Sequence, residues 1–413
     1  MRANGALVAA MGTLIVATSV IQLANGFFTT LISLRVALEG FAPTMGGLVL
    51  SSYFAGFTLG AVRSDRIITR IGHIRAYAMF AGIVVAATAV MPLLVGPWFW
   101  LLLRALIGFG CAGLFVATES WLNAKSPPAM RGRVFAVYMV GTFMALAAGQ
   151  LLIGRIDAAA AGPFNAIVAL FALALVLVSG TRAEPPQAAP AASPPYRELL
   201  RAAPVAVLCC ALSGLITGTF YALIPAWMQG KAIPGGTIAL FMFCAVIGGL
   251  AFQIPVGRLS DRVDRRRVLA GLGLGLAVVT VALAYLPRSL AVVLPAAALF
   301  GGFMSTLYPV CVAHANDRMP ADRVVAVSGA LILLSGLGSV IGPLLGTPLM
   351  ASYGVNGVLY LMAAAALGVA LIAGGRSLLR EPAARLERPF AILTPQAAPL
   401  AHEVASDDGS RVA

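Results

Sequence analysis

Arg104, Glu119 and His314 are ionisable residues embedded in, or at the end of, strongly apolar stretches. Insertion scales put the cost of an Arg at the centre of a membrane helix at about 2.5–3.5 kcal/mol, so such a residue marks a solute or ion path by default. A guanidinium there can hold an anion or assist a proton. A carboxylate or an imidazole can carry a proton, and histidine titrates near neutrality. Glu119 follows Arg104 by fifteen residues, which at about 100° per residue returns it to nearly the same helix face. His314 occupies the corresponding end of another apolar stretch. Each also has a plainer reading. Arg104 can snorkel toward the interface marked by Trp98 and Trp100, Glu119 can pair with Arg131 or Arg133, and His314 can be an interfacial donor.

Uncharged polar residues recur at helical spacing. Gln22, Asn25 and Thr29 fall on one face of the first apolar stretch, and Ser213, Thr217 and Tyr221 on one face of the seventh. Such faces either line a solute cavity or make interhelical hydrogen bonds, worth about 0.6 kcal/mol each on average.

The elements that must position these groups are membrane helices. Hydrophobic residues make up 60% of the 413-residue chain and charged residues 10%, whereas soluble domains carry about 25% charged residues. The charges cluster and leave runs long enough to cross a bilayer, which takes about 20 apolar residues. Turn signals at Gly96-Pro97 and at 352–357 divide two of the runs. Twelve spans result: 5–31, 43–62, 76–95, 98–122, 133–154, 162–180, 203–228, 236–257, 268–286, 290–313, 324–347 and 355–374.

With both termini in the cytoplasm, 23 of the 28 Lys and Arg residues fall on the cytoplasmic side, as the positive-inside bias requires. The net charge of +13 is therefore topological. It does not point to nucleic acid, which would want a basic patch on a folded soluble module. The five cysteines lie in apolar spans without metal-ligand spacing, so neither a metal nor another cofactor is expected. No GxxxxGK[ST] loop is present to bind a nucleotide.

The two halves resemble each other. Ala61-Val-Arg-Ser-Asp65-Arg66 after the second span parallels Gly257-Arg-Leu-Ser-Asp261-Arg262 after the eighth. Arg133-Val-Phe-Ala-Val137 shares four of five residues with Arg323-Val-Val-Ala-Val327, at the starts of spans five and eleven. Two pairs at similar offsets indicate a parallel repeat, an arrangement of transporters built from two bundles around a midplane site. The expected organisation is a six-helix bundle over 1–180, a cytoplasmic linker over 181–202, a second bundle over 203–375 and a disordered cytoplasmic tail over 376–413.

At these residues the chain resembles the major facilitator superfamily, whose GxxxD-plus-basic signature reads here as Gly257-Arg-Leu-Ser-Asp261-Arg262-Val-Asp-Arg265. The first-half copy has Ala61 in place of the Gly. The superfamily's RxxxGxG pattern appears at Arg104, Gly108 and Gly110, and GxxxGPxxG at Gly338, Gly342, Pro343 and Gly346. Glu119-Ser-Trp-Leu-Asn123 and Ala313-His-Ala-Asn-Asp-Arg318 resemble a bacterial subgroup of mostly uncharacterised members.

The resemblance implies an all-α fold of two six-helix bundles, in which spans one, four, seven and ten line the solute path. Gln22, Asn25, Arg104, Thr217, Tyr221 and Tyr308 are then the substrate candidates, and Glu119, Arg104 and His314 the proton-coupling candidates. Asp65 with Arg66, and Gly257, Asp261, Arg262 and Arg265, become gating residues that meet the span starts at Arg323 and Arg133. The implied protein is not an enzyme. It is a multi-pass transporter of the bacterial inner membrane, working as a monomer on a small solute by alternating access. Proton-coupled efflux is one reading. Uptake by symport, or facilitated passage of a nutrient such as a sugar or organic acid, is the other, with a membrane sensor or enzyme behind both.

Overall fold

The computed structural model describes residues 2–127, 130–180, 196–285, 287, 289–320 and 323–379, and among these the chain is helical without strands. Twelve helices are long and apolar enough to cross a membrane. They are α1 (Arg2–Leu38), α2 (Pro43–Ile71), α3 (His73–Val90), α4 (Pro97–Lys125), α5 (Arg131–Leu151), α6 (Gly162–Ser179), α7 (Pro204–Gly230), α8 (Gly235–Arg262), α9 (Arg265–Tyr285), α10 (Leu290–Asn316), α11 (Val324–Tyr353) and α12 (Gly357–Leu379). A 3-10 turn, Leu152–Arg155, extends α5, and a short linker helix, Tyr196–Ala202, precedes α7. The rest of the expected linker and the tail beyond residue 379 lie outside the described residues.

Helices α2, α4 and α7 each start on a proline, whose missing N–H would find no partner in a first turn anyway. Gly72 is the single residue between α2 and α3, and its φ of 84° is a left-handed conformation that favours glycine. Two helices overrun their expected ends. α2 continues past residue 62 to Ile71, and α8 past 257 to Arg262. Lipid thickness limits the apolar stretch, but the helix itself continues wherever its backbone bonds are preferred and its charges reach water. Asp65 and Asp261 therefore ride on helical extensions rather than in loops.

Pairing within the halves repeats with a shift of six helices. α2 packs on α4 and α1 on α5 in the first bundle, as α8 packs on α10 and α7 on α11 in the second. In lipid such packing relies on close backbone approach rather than on exclusion of water. Gly56 sits against the backbone of Ala105, and Gly108 against that of Tyr53. Their counterparts are Gly248 against Ala298 and Gly301 against Ala245. The glycines of RxxxGxG thus space α4, since Gly110 likewise abuts Phe80 and Val84 of α3. Gly338 and Gly342 close α11 onto Ala211 and Thr219 of α7, within one bundle. We expect Gly108→Val to lower stability by about 1–3 kcal/mol or more, because the obstacle is backbone that cannot rotate away. A melting temperature unchanged from wild type would contradict this packing.

The bundles meet along α2 with α11, α5 with α8, and α1 with α7. Contacts run from mid-membrane toward the Arg-poor end. Ser33 donates to Ala222 O at 2.6 Å and accepts from Ala226 N at 3.3 Å, and Ser51 donates to Val340 O at 2.7 Å. Gly47 lies against Pro343 and Thr347, Gly154 backs onto Gly236, and Phe143, Leu146 and Ala147 form an apolar cluster with Val246.

Candidate functional site

A cavity lies between the bundles and draws its walls from both. Gln22 of α1, Tyr53, Phe54 and Phe57 of α2, and Thr142, Phe143 and Leu146 of α5 form one side. Thr217 and Tyr221 of α7, Met304, Ser305 and Tyr308 of α10, and Ser335, Gly336 and Ser339 of α11 form the other. The space, counting its open mouth, is about 850 Å³. None of these side chains is charged. Aromatic rings and hydroxyls dominate, a lining that suits an apolar body with a few polar anchors.

Four of the expected substrate residues, Gln22, Thr217, Tyr221 and Tyr308, therefore share one cavity. Asn25 and Arg104 stand behind the wall at Tyr53. The Tyr53 hydroxyl donates to Asn25 Oδ1 at 3.0 Å, and Asn25 Nδ2 reaches Gln22 Oε1 at 3.4 Å. The Arg104 guanidinium carbon lies 4.5 Å from the Tyr53 ring centroid and 5.3 Å from that of Phe28. Arg104 is 2% exposed, so the interfacial snorkelling open to it on sequence grounds does not occur. The aromatic wall of α2 and the contribution of α5 were not singled out by the sequence. Tyr53 and Phe57 are one turn apart in an apolar span and carry no polar periodicity there.

Glu119, 1% exposed, accepts a 2.9 Å hydrogen bond from the hydroxyl of Tyr138 on α5. His314 is buried at the Arg-rich end of α10, in the field of Arg318, Asp264, Arg266 and Arg265. The two proton-coupling candidates other than Arg104 thus sit in different bundles.

The gating residues divide into separate settings. Asp65 is half-buried, and Arg66, Arg133 and Arg262 are exposed, while Gly257 is buried in α8. Arg323 bonds Glu198 of the linker helix. Asp261 Oδ1 lies 3.4 Å from Arg265 Nη2, one turn on. Arg265 also donates from Nε to Asp317 Oδ2 at 2.7 Å and from Nη1 to Ser260 at 3.3 Å, fastening the α8–α9 connection to the end of α10. Arg266 does the same toward α12, through Asp264 at 2.7 Å and the carbonyl of Arg376 at 2.8 Å. Burial would raise the Asp264 carboxyl, but the hydrogen bonds and charge of Arg266 outweigh it and hold the group below its usual range. Arg265 is thus anchored inside the second bundle. Asp317 and Asp264, its neighbours there, were visible in the sequence only as members of charged fragments.

The family model described as Major Facilitator Superfamily matches residues 14–250 and 207–400. The chain belongs to that superfamily of membrane transporters, and with its spanning helices it is a multi-pass protein of the inner membrane. It is 32% identical over 351 residues to the uncharacterized MFS-type transporter YcaD of Shigella flexneri serotype 5b, covering 83% of this chain and 89% of that protein. YcaD of Escherichia coli K12 matches to the same extent. Among solved structures, a mutant of the nucleoside transporter NupG superposes with a TM-score of 0.73 at 11% identity, over 89% of this chain and all of that one. A D-xylose–proton symporter gives 0.65 at 16% identity, over 87% and 96%. These two likenesses establish the fold.

Proposed function

We propose that this chain is a secondary transporter that moves a small solute through the central cavity by alternating access, with its Arg-rich end in the cytoplasm. The supporting observation is the cavity itself, built from both bundles and sealed by contacts toward the Arg-poor end. In that orientation the conformation is inward-facing. A rocking motion that separates Ser33 from Ala222 and Ser51 from Val340 would open the other side. Asp65 and Asp261 then serve as latches at the cytoplasmic end. When that end closes, Asp65 with Arg66 meets the start of α11 at Arg323, and Asp261 with Arg262 meets the start of α5 at Arg133. A carboxylate gains about 0.3–1 kcal/mol from a helix N-terminus, enough to bias a two-state equilibrium. One chain supplies both bundles, so the unit is a monomer.

Protons are the proposed coupling ion, with Glu119 as carrier. Its buried carboxylate accepts the hydrogen bond of Tyr138 on α5, so protonation changes the tie between α4 and α5. Solute leaving the cytoplasm against entering protons is the direction we assign. The test is purified protein in vesicles under an imposed pH gradient, screened against solute pools. Glu119→Gln should abolish solute-dependent proton flux, and unchanged flux in that variant overturns the assignment. Proton movement in the same direction as the solute would mark uptake by symport instead.

A further inference from the structure

We propose that the solute is an anion, carrying a carboxylate or similar small acidic group that is neutralised at Arg104. This rests on the reading of the central cavity as the solute site.

Arg104 lies in α4 at 2% exposure, and it takes part in none of the ion pairs found among the described residues. Its Nε and Nη1 have no hydrogen-bond partner. The rings of Tyr53 and Phe28 attract the charge of the guanidinium, but they take up none of its N–H hydrogen bonds, since Nε and Nη1 stay without a partner beside them. Donors left without a partner on two nitrogens of a buried guanidinium can each take a carboxylate oxygen in a charge-assisted hydrogen bond. A charge held inside a membrane bundle either pairs with another protein group or marks a substrate or ion path, and no ion-pair partner is found for Arg104 among the described residues.

The cation is linked to the cavity. Tyr53 touches Arg104 on one side and lines the cavity on the other, and its hydroxyl is held by Asn25, which reaches Gln22, also a lining residue. A turn of the Tyr53 side chain away from Asn25 opens the path from cavity to guanidinium. The cavity wall itself has no charged side chain, so nothing else there competes for an acidic group. Glu119, fifteen residues along α4, lies about 22 Å away by helical rise and cannot serve as the counter-charge. The aromatic lining suits the rest of such a solute, an apolar body bearing one acid group.

The full chain, purified in detergent, is titrated with benzoate, phenylacetate, hexanoate and succinate, and with the amide of each, while its melting temperature is followed. At least one acid is expected to bind about thirtyfold or more tightly than its amide, since a buried charge left unpaired weakens binding by that factor or more. The preference should vanish in Arg104→Gln and return in part in Arg104→Lys. If the Gln variant does not fold, Arg104→Met serves in its place, and the wild-type comparison of acids with amides stands alone. Acids that bind no better than amides, no binding by any acid, or an acid preference that survives loss of Arg104 each overturn the proposal. A shift produced by chloride alone, with no acid–amide difference, assigns an inorganic ion to Arg104 and also overturns it. Amides that bind and are weakened by Thr217→Val or Tyr221→Ala would leave the cavity as the solute site while removing the anion.

Discussion

Arg104→Met should leave the protein within about 1 kcal/mol of wild-type stability while abolishing solute movement. The two expectations come from opposed magnitudes. Holding the unpaired guanidinium inside the bundle costs about 2.5–3.5 kcal/mol on insertion scales. Its contacts with the faces of Tyr53 and Phe28 return about 0.5–2 kcal/mol each. Methionine is unbranched and adaptable, and it fills most of the volume without the charge. The two effects therefore nearly cancel in the resting protein. Were Arg104 a structural brace, the result would differ, since removing one partner of a buried pair costs about 3–5 kcal/mol. For the solute no such cancellation applies. Losing a buried, hydrogen-bonded charge partner costs about 2–5 kcal/mol of binding, a fall of roughly thirtyfold to several thousandfold. Thermal unfolding in detergent and uptake into vesicles, measured on one preparation, separate the two roles. A variant that is several kcal/mol less stable, or one that still transports, contradicts the account.

The sequence carried the membrane fold almost entirely, because lipid imposes a strong rule. A span needs about 20 apolar residues, and loops gather the arginines. The duplicated fragments around Asp65 and Asp261 indicated a parallel repeat, and the pairing of α2 with α4 recurs as α8 with α10. Helix ends were less legible. Arg63, Asp65 and Arg66 look like loop residues on hydropathy, yet they belong to a helix that continues past its apolar stretch. The site was half legible. Polar periodicity singled out Gln22, Thr217 and Tyr221, which line the cavity, whereas Arg104, singled out by the signature of α4, stands behind its wall at Tyr53. Tyr53, Phe57 and Phe143 escaped because an aromatic residue in an apolar span looks the same whether it faces lipid, a neighbouring helix or a cavity. Only the packing of α2 and α5 decides which. Arg265 was visible as part of a basic run, but its bond to Asp317 depends on how the end of α10 lies against the α8–α9 connection.

Locking the Arg-poor end should stop transport outright and reversibly. A Cβ built on Gly47 of α2 would lie 3.3 Å from Cβ of Thr347 on α11, just under the usual disulfide spacing of about 3.5–4.5 Å. The carbonyl of Pro343, 2.9 Å from that position, must yield slightly. The variant Gly47→Cys with Thr347→Cys therefore ties the bundles together where this conformation already closes them. The native cysteines do not compete, since Cys111, Cys209, Cys210 and Cys311 are buried and Cys244 is partly so. Either single variant controls for an added thiol, and Gly47→Cys alone also controls for the strain at Pro343. Alternating access requires this seam to part once in every cycle. The decisive measurement is solute flux in vesicles before and after oxidation of the double variant, with the bridge verified by mass spectrometry. We predict that flux is lost when the bridge forms and restored by a reductant, whereas a fully bridged protein that transports at the wild-type rate would contradict the alternating opening of the central cavity.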